Sequence, residues 1–133
     1  MEVTTYGGAN NTNSKKESCS VFEGFTDFLS YLSLKNTLAP QEDVIVLNSL
    51  SNLPKAIDKL KEYKEVQTYL DNDSPGKKAT LTIKQTHPVV IDQSVKYAGY
   101  KDLNEYLISI RQIQQKEKPK IEVKRKPFKG FRP

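Results

Sequence analysis

The chain has 133 residues, a formal net charge of +5 and a hydrophobic content of 36%. A chain of this length has room for one domain. No apolar stretch approaches the roughly 20 residues that a transmembrane helix needs, so we expect no membrane segment and a cytoplasmic location. The single cysteine excludes an internal disulfide and a cysteine-rich zinc site.

The positive charge is concentrated at the C-terminal end of the sequence. Residues 111–133 contain nine Lys or Arg and two Glu, whereas the preceding residues carry a net charge of −2. We therefore predict a folded domain over 18–113 and a flexible basic tail over 114–133. Residues 1–17 are predicted to form a loop or a short edge strand, and their composition suggests that the chain is a fragment of a longer protein.

The basic tail has a composition that suits contact with a nucleic acid. Cationic side chains would neutralise phosphates, and aromatic side chains would stack on bases. The candidate nucleic-acid-binding residues are Lys124, Arg125, Lys126, Phe128, Lys129 and Arg132. The same composition is also compatible with a solubilising tail that has no specific partner.

In chain order, the hydrophobic pattern predicts alternating strands and helices. The expected elements are a strand over 18–22, a helix over 24–34, a strand over 44–47, a helix from about 53, a strand over 66–70, a helix after 76, a strand over 88–92 and a helix from about 102. The helix over 24–34 is expected to bury Phe25, Phe28, Leu29 and Leu32, and the last helix to bury Leu103, Tyr106 or Leu107, Ile110 and Ile113.

The segment after Gly76 is ambiguous from its local pattern. Apolar residues alternate with Thr over 79–83, which is typical of a strand. The alternation of elements elsewhere favours a crossover helix with Pro75 at its start, and we predict the helix. The resulting fold class is α/β, an open sheet of about four mainly parallel strands with helices on both faces.

Acidic and polar side chains follow the predicted strands at their carboxyl ends, where ligands bind in such sheets. Asp71 and Asp73 are two apart after one strand, and this arrangement suits Mg²⁺ or Mn²⁺, which prefer carboxylates, water and phosphate oxygens. Glu23 follows another strand and could join the metal ligands or act as a general acid or base. The alternative is that Asp71 and Asp73 form only an Asx turn and a helix cap.

Further residues could support this site. Asp27 lies four residues after Glu23 on the same helical face and could orient it or bind through water, and Lys77 could contact phosphate. Asn48 and Ser49 follow the strand over 44–47 and begin a polar turn, while Gly76 completes the turn after Asp73.

Segments 23–27 and 71–76 resemble the two signatures of the Toprim domain of bacterial DNA primases, topoisomerases and some nucleases. Together with segment 101–107, they are most similar to the Toprim modules of primase-like proteins on bacterial mobile elements, especially in the Bacteroidetes. The resemblance implies that Glu23 is the catalytic acid or base and that Asp71 and Asp73 hold Mg²⁺ or Mn²⁺. Asp102 matches a downstream motif, and its alternative role is a helix cap.

The resemblance to primases implies Mg²⁺-dependent nucleotidyl transfer, in which an RNA primer is made from nucleoside triphosphates on a DNA template. The sequence contains neither the zinc-binding module nor the polymerase core of full-length relatives, so we expect both as partner domains of the same or another chain. Without them the chain should be a weak or inactive enzyme. The alternatives are a Toprim nuclease, a topoisomerase-type cleavage module and a non-catalytic nucleic-acid-binding domain.

Overall fold

The structure, a computed structural model, describes residues 3–5 and 16–117. Its strands are β1 (Val3–Thr5), β2 (Lys16–Phe22), β3 (Asp43–Val46), β4 (Tyr63–Tyr69) and β5 (Val90–Asp92). Within the described residues they form one sheet in the order β1-β3-β2-β4-β5, and every neighbouring pair is parallel. The predicted parallel α/β sheet is confirmed, and β1 adds an edge strand to the four that were expected.

From β2 onwards, helices alternate with the strands as the sequence predicts. They are α1 (Phe25–Lys35), α2 (Leu53–Leu60), α3 (Ser74–Thr86) and α4 (Leu103–Glu117), with short 3₁₀ turns at Leu50–Asn52 and Gln93–Tyr97. The ambiguous segment after Gly76 is helical. Its burial follows the helical period, because Ala79 and Ile83 are buried whereas Leu81 is 53% exposed.

Each face of the sheet has its own hydrophobic core. Successive residues of a strand point to opposite faces, so Val21 packs with α2 and α3 while its neighbour Phe22 packs with α1 and α4. The same division separates Ile45 from Val44 and Val46 on β3. Helices therefore cover both faces, as predicted.

The predicted apolar stripe of α1 is partly wrong. Phe28 is buried and Leu32 packs against the core, but Phe25 and Leu29 are about half exposed. The buried face instead includes Asp27, Ser30 and Tyr31, since their polar groups find hydrogen-bond partners inside the protein.

The predicted buried face of α4 is also too long. Leu103 is buried, whereas Ile113 is 49% exposed. Arg111 of α4 already donates a hydrogen bond to Ser33, near the end of α1, and residues 111–117 are exposed. The helix therefore continues beyond the part that packs on the domain.

The boundaries predicted for the domain and the tail remain predictions. The helix α4 continues through Glu117, and the six candidate nucleic-acid-binding residues of the tail lie outside the described residues. Across the described ranges, none of the helices is long and apolar enough to cross a membrane.

Candidate metal centre

Three aspartates from separate parts of the chain meet at the carboxyl ends of the strands. Asp27 lies in the first turn of α1, Asp71 follows β4, and Asp102 directly precedes α4. Among the described residues, one carboxylate oxygen from each of these aspartates lies within 4.8 Å of those of the other two. The residues are far apart in sequence, and the fold brings them together at the edge of the sheet where ligands bind in parallel α/β proteins.

Asp27 is the most enclosed of these carboxylates, with only 6% of its surface exposed. Its Oδ1 accepts a hydrogen bond from the backbone N–H of Asn104 at 3.2 Å, which links α1 to the start of α4. Burial, followed by the negative charge of Asp102, raises the pKa of Asp27 to about 6. The carboxylate is thus held in place, but its hydrogen bonds to backbone N–H groups do not offset the burial and the repulsion that raise its pKa.

Asp71 is perturbed more strongly than Asp27. Burial, followed by the nearby charges of Glu23 and Asp27, raises the pKa of Asp71 to about 7. Like charges collected in a half-buried place are costly unless a cation joins them. This excess of negative charge suits a divalent ion.

Glu23 lies beside the aspartates, at the end of β2. Its Oε1 accepts a hydrogen bond from the backbone N–H of Asp71 at 3.0 Å. Burial is the main cause that raises the pKa of Glu23, and this hydrogen bond opposes the rise. A carboxyl group with a raised pKa is suited to proton transfer near neutral pH.

Asp73 has the helix-cap role that the sequence offered as the alternative to metal binding. It is the N-cap of α3, and its Oδ1 accepts a hydrogen bond from the backbone N–H of Gly76 at 2.9 Å. Its charge still raises the pKa values of Glu23 and Asp71, so it lies near the cluster. The expectation that Asp73 binds the ion stays a prediction, as does the catalytic role of Glu23.

Gly76 is required by the close approach of α3 to the acidic loop. A Cβ atom at position 76 would lie 2.9 Å from the carbonyl carbon of Asp71 and closer still to its oxygen. No side chain fits there unless the helix or the loop moves. The absence of a side chain at position 76 therefore allows α3 to lie this close to the backbone of Asp71.

The other predicted residues surround the cluster. The backbone N–H of Asn48, which has a positive φ of 67°, donates to the carbonyl oxygen of Glu23 at 2.9 Å. Ser49 caps the next 3₁₀ turn by accepting from the backbone N–H of Ser51. Lys77 is exposed and lines a cleft of about 420 Å³ with Asp73 and Lys101.

Two further residues near the cluster have no distinctive local signal in the sequence. The charge of Lys101 lowers the pKa of Glu23, and this lysine is recognisable only as part of the segment 101–107. Asn72 stands between two aspartates, and its side chain contacts a distant segment of the chain. No local pattern reports such a contact.

The residues present fit a hard divalent cation. The cluster of Asp27, Asp71 and Asp102 offers only carboxylate oxygens, the donors that Mg²⁺ and Mn²⁺ prefer. Burial, together with repulsion from neighbouring carboxylates, raises the pKa values of two of its members, Asp27 and Asp71. An ion at this place would relieve that repulsion.

Comparison with known proteins supports this assignment of the fold. Residues 20–107 match the model of the Toprim-like family, and these residues make up more than half of the chain. No curated protein matches the sequence.

Two solved structures are similar to the chain. One is the primase fragment of the bacteriophage T7 primase-helicase protein, with 22% identity and a TM-score of 0.55 over 76% of this chain and 43% of that one. The other contains the T7 lagging-strand DNA polymerase interacting with primase domains of two gp4 subunits bound to an RNA/DNA hybrid and dTTP. It has 20% identity and a TM-score of 0.57 over 77% of this chain and 53% of that one. The chain thus spans about half the length of these structures.

Proposed function

The chain belongs to the Toprim-like family, and from this premise we propose that it is the metal-binding catalytic module of a DNA primase-like replication protein. The observation that carries the proposal is the convergence of Asp27, Asp71 and Asp102 at the carboxyl ends of a parallel sheet. The reaction would be nucleotidyl transfer, with nucleoside triphosphates as substrates, a DNA template and an RNA primer as product.

In this proposal the aspartate cluster would hold Mg²⁺ or Mn²⁺, with Asp73 close enough to contribute charge. When bound, the ion would neutralise phosphate charge and orient the reacting oxygen. Glu23 would exchange a proton with the substrate hydroxyl, because its pKa is raised towards neutrality and its carboxylate is anchored on the Asp71 N–H.

The phosphates would enter beside the two exposed lysines. Lys77 and Lys101 line one cleft with Asp73, and their charges would attract phosphate to the edge of the acidic cluster. The basic tail would add contacts to the nucleic-acid backbone. Positive and negative groups are thus placed side by side, as binding of a metal-bound polyphosphate requires.

The module is proposed to need partner domains for efficient synthesis. The chain spans only 43% and 53% of the two similar T7 structures, so a zinc-binding domain and a polymerase core would come from the same or another chain. Substrate positioning is a large part of catalysis, and those domains would supply residues that position the template and the nucleotides.

The proposal is tested by ATP binding, measured calorimetrically with and without Mn²⁺. The proteins to compare are the wild-type chain, the double variant Asp71→Asn/Asp102→Asn and a control, Asp58→Asn, which alters an exposed carboxylate of α2. We expect Mn²⁺ to strengthen ATP binding to the wild type and the control but not to the double variant. Equal binding in all three proteins would contradict the proposal.

A nuclease is the alternative that the same acidic cluster would suit. Incubation of single-stranded DNA with Mn²⁺ and the chain distinguishes the two functions. Cleavage that is lost in the double variant would favour the nuclease and contradict primer synthesis as the function of this site.

A further inference from the structure

Asn72 makes an unusual set of contacts between the two aspartates of the acidic loop. Its Nδ2 group lies 3.0 Å from the carbonyl oxygen of Tyr100, 3.2 Å from that of Tyr97 and 3.4 Å from that of Ser94. Its backbone N–H donates to the carbonyl oxygen of Lys101 at 2.7 Å. One residue therefore supplies donors to four carbonyl oxygens of the segment 94–101.

This segment leads directly to Asp102. It consists of most of a 3₁₀ turn and a second turn in which Gly99 has a positive φ of 97°, and it has no strand or α-helix of its own. At its start, the backbone N–H of Ser94 donates to Asp92 Oδ1 of β5 at 2.9 Å, and further on the Tyr97 hydroxyl donates to the carbonyl oxygen of Leu70 at 2.8 Å. The contacts of Asn72 and Tyr97 hold the part of the segment nearest Asp102 to the loop that follows β4.

We propose that Asn72 is a positioning residue that fixes the segment 94–101 and thereby sets Asp102 against Asp27 and Asp71. The aspartates at 27 and 71 are placed by α1 and by the loop after β4. Asp102 is held on its C-terminal side by α4, which it caps by accepting from the backbone N–H of Glu105 at 2.9 Å, and on its N-terminal side by this segment. This inference rests on the proposed function only in assigning metal binding to the cluster; the positioning itself is a property of the metal-free protein.

The chemistry of the asparagine amide explains why this residue type is needed. An amide nitrogen carries two N–H donors, so it can serve several converging carbonyl oxygens, and it adds no charge next to the aspartates. An aspartate at the same place would direct a negatively charged acceptor at those oxygens. An alanine would leave partly buried carbonyl oxygens with fewer donors.

The test compares Asn72→Ala and Asn72→Asp with Asn52→Ala. Asn52 is a matched control, because its Nδ2 also donates to a backbone carbonyl oxygen, that of Leu47, which follows β3, at 2.8 Å. The first readout is backbone amide hydrogen exchange of Asn104 in the metal-free protein, since that N–H donates to Asp27 and reports the contact between the start of α4 and the cluster. The second is Mn²⁺ affinity.

We expect Asn72→Ala to accelerate exchange at Asn104 and to weaken Mn²⁺ binding, each by roughly three- to tenfold, the effect of losing one hydrogen-bonded group. The control should change neither quantity by more than about twofold. Asn72→Asp should also weaken Mn²⁺ binding. If Asn72 were instead a direct ligand, the added charge of Asn72→Asp would strengthen it, and that result would overturn the inference.

Failure of the two proposals can be told apart. If the wild type does not bind Mn²⁺, the proposed function fails, while exchange at Asn104 still decides whether Asn72 positions the start of α4. If exchange at Asn104 is unchanged in both Asn72 variants, the positioning role is wrong whatever the metal affinity. If Asn72→Ala does not fold, Asn72→Asp, which keeps the size of the side chain, gives the same two readouts.

Discussion

The carboxylate of Glu23 accepts a hydrogen bond from the backbone N–H of Asp71, with 3.0 Å between Oε1 and the nitrogen. This bond joins the residue that follows β2 to the loop that follows β4, its neighbour in the sheet. The candidate catalytic group and a candidate metal ligand are therefore held at a fixed separation by the protein itself. Such preorganisation is what an active centre needs before a substrate arrives.

The first prediction concerns Glu23→Gln. The amide oxygen of Gln can still accept from the Asp71 N–H, so we expect the fold to persist and the Mn²⁺ affinity to stay within about threefold of the wild type. The ability to take a proton is lost, and primer synthesis by the chain together with its proposed partner domains should fall at least about a hundredfold. Calorimetry and a primer-extension assay measure the two effects. Retained synthesis would exclude Glu23 as the acid or base.

The second prediction concerns Gly76→Ala. The added methyl group meets the backbone of Asp71, which cannot yield without moving the acidic loop, and we expect a loss of about 1–3 kcal/mol in the free energy of unfolding together with weaker Mn²⁺ binding. Gly24→Ala is the control, because its Cβ would have Asp27 Oδ2 as its nearest neighbour at an ordinary 3.8 Å. Denaturant unfolding compares the variants, and equal stabilities would refute the close approach.

The third prediction is the pH dependence of stability in the metal-free protein. The pKa values of Asp27 and Asp71 are raised to about 6 and about 7, so the native state binds protons more tightly than the unfolded state. Stability that these two groups contribute should therefore fall as the pH rises from about 4 to about 7. Asp71→Asn should stabilise the metal-free protein at pH 7.5, by about 1 kcal/mol after allowance for solvent screening.

Thermal unfolding at pH 5 and pH 7.5 measures this effect. In the wild type, saturating Mn²⁺ should restore at pH 7.5 the stability that deprotonation removes, because the ion binds the ionised carboxylates. A lower stability of Asp71→Asn than of the wild type at pH 7.5 without metal would contradict a destabilising effect of the ionised Asp71 carboxylate.

The fourth prediction separates the two tasks of Asp73. Asp73→Ala removes the cap of α3 and should cost about 1 kcal/mol, whereas Asp73→Ser keeps an N-capping oxygen and should restore most of the loss. In Asp73→Ser the Mn²⁺ affinity should fall by only about threefold, through the lost charge, whereas Asp71→Ser should lower it more than about tenfold. Equal losses in the two serine variants would make Asp73 a full ligand.

The order of the strands and helices could be predicted from the sequence because it depends on local hydrophobic patterns. Short β-branched runs alternate with amphipathic segments, and this alternation alone decides that 74–86 is a helix although its Thr-rich stretch resembles a strand. The positions of Glu23 and Asp71 follow, since they are the first acidic residues after two strands of a parallel sheet. Local chemistry and topology agree at both places.

The choice between local alternatives and the contacts between separate segments could not be predicted. The sequence Asp71–Gly76 suits both a metal site and a helix cap, and only the structure shows Asp73 capping α3. The burial of Asp27 and Tyr31 in place of Phe25 depends on partners that lie far along the chain. Asn72 finds its acceptors 22 to 28 residues away, beyond the reach of any periodicity.

The most direct test of the central claim is paramagnetic broadening of the backbone amide signals by Mn²⁺. Substoichiometric Mn²⁺ should broaden the amide signals of Asp27, Asp71 and Asp102 first, since these residues surround the proposed ion, and Asp71→Asn should abolish the effect. The control Asp58→Asn should behave as the wild type does. Broadening that begins elsewhere on the surface, or that persists unchanged in Asp71→Asn, would contradict a metal centre at this edge of the sheet.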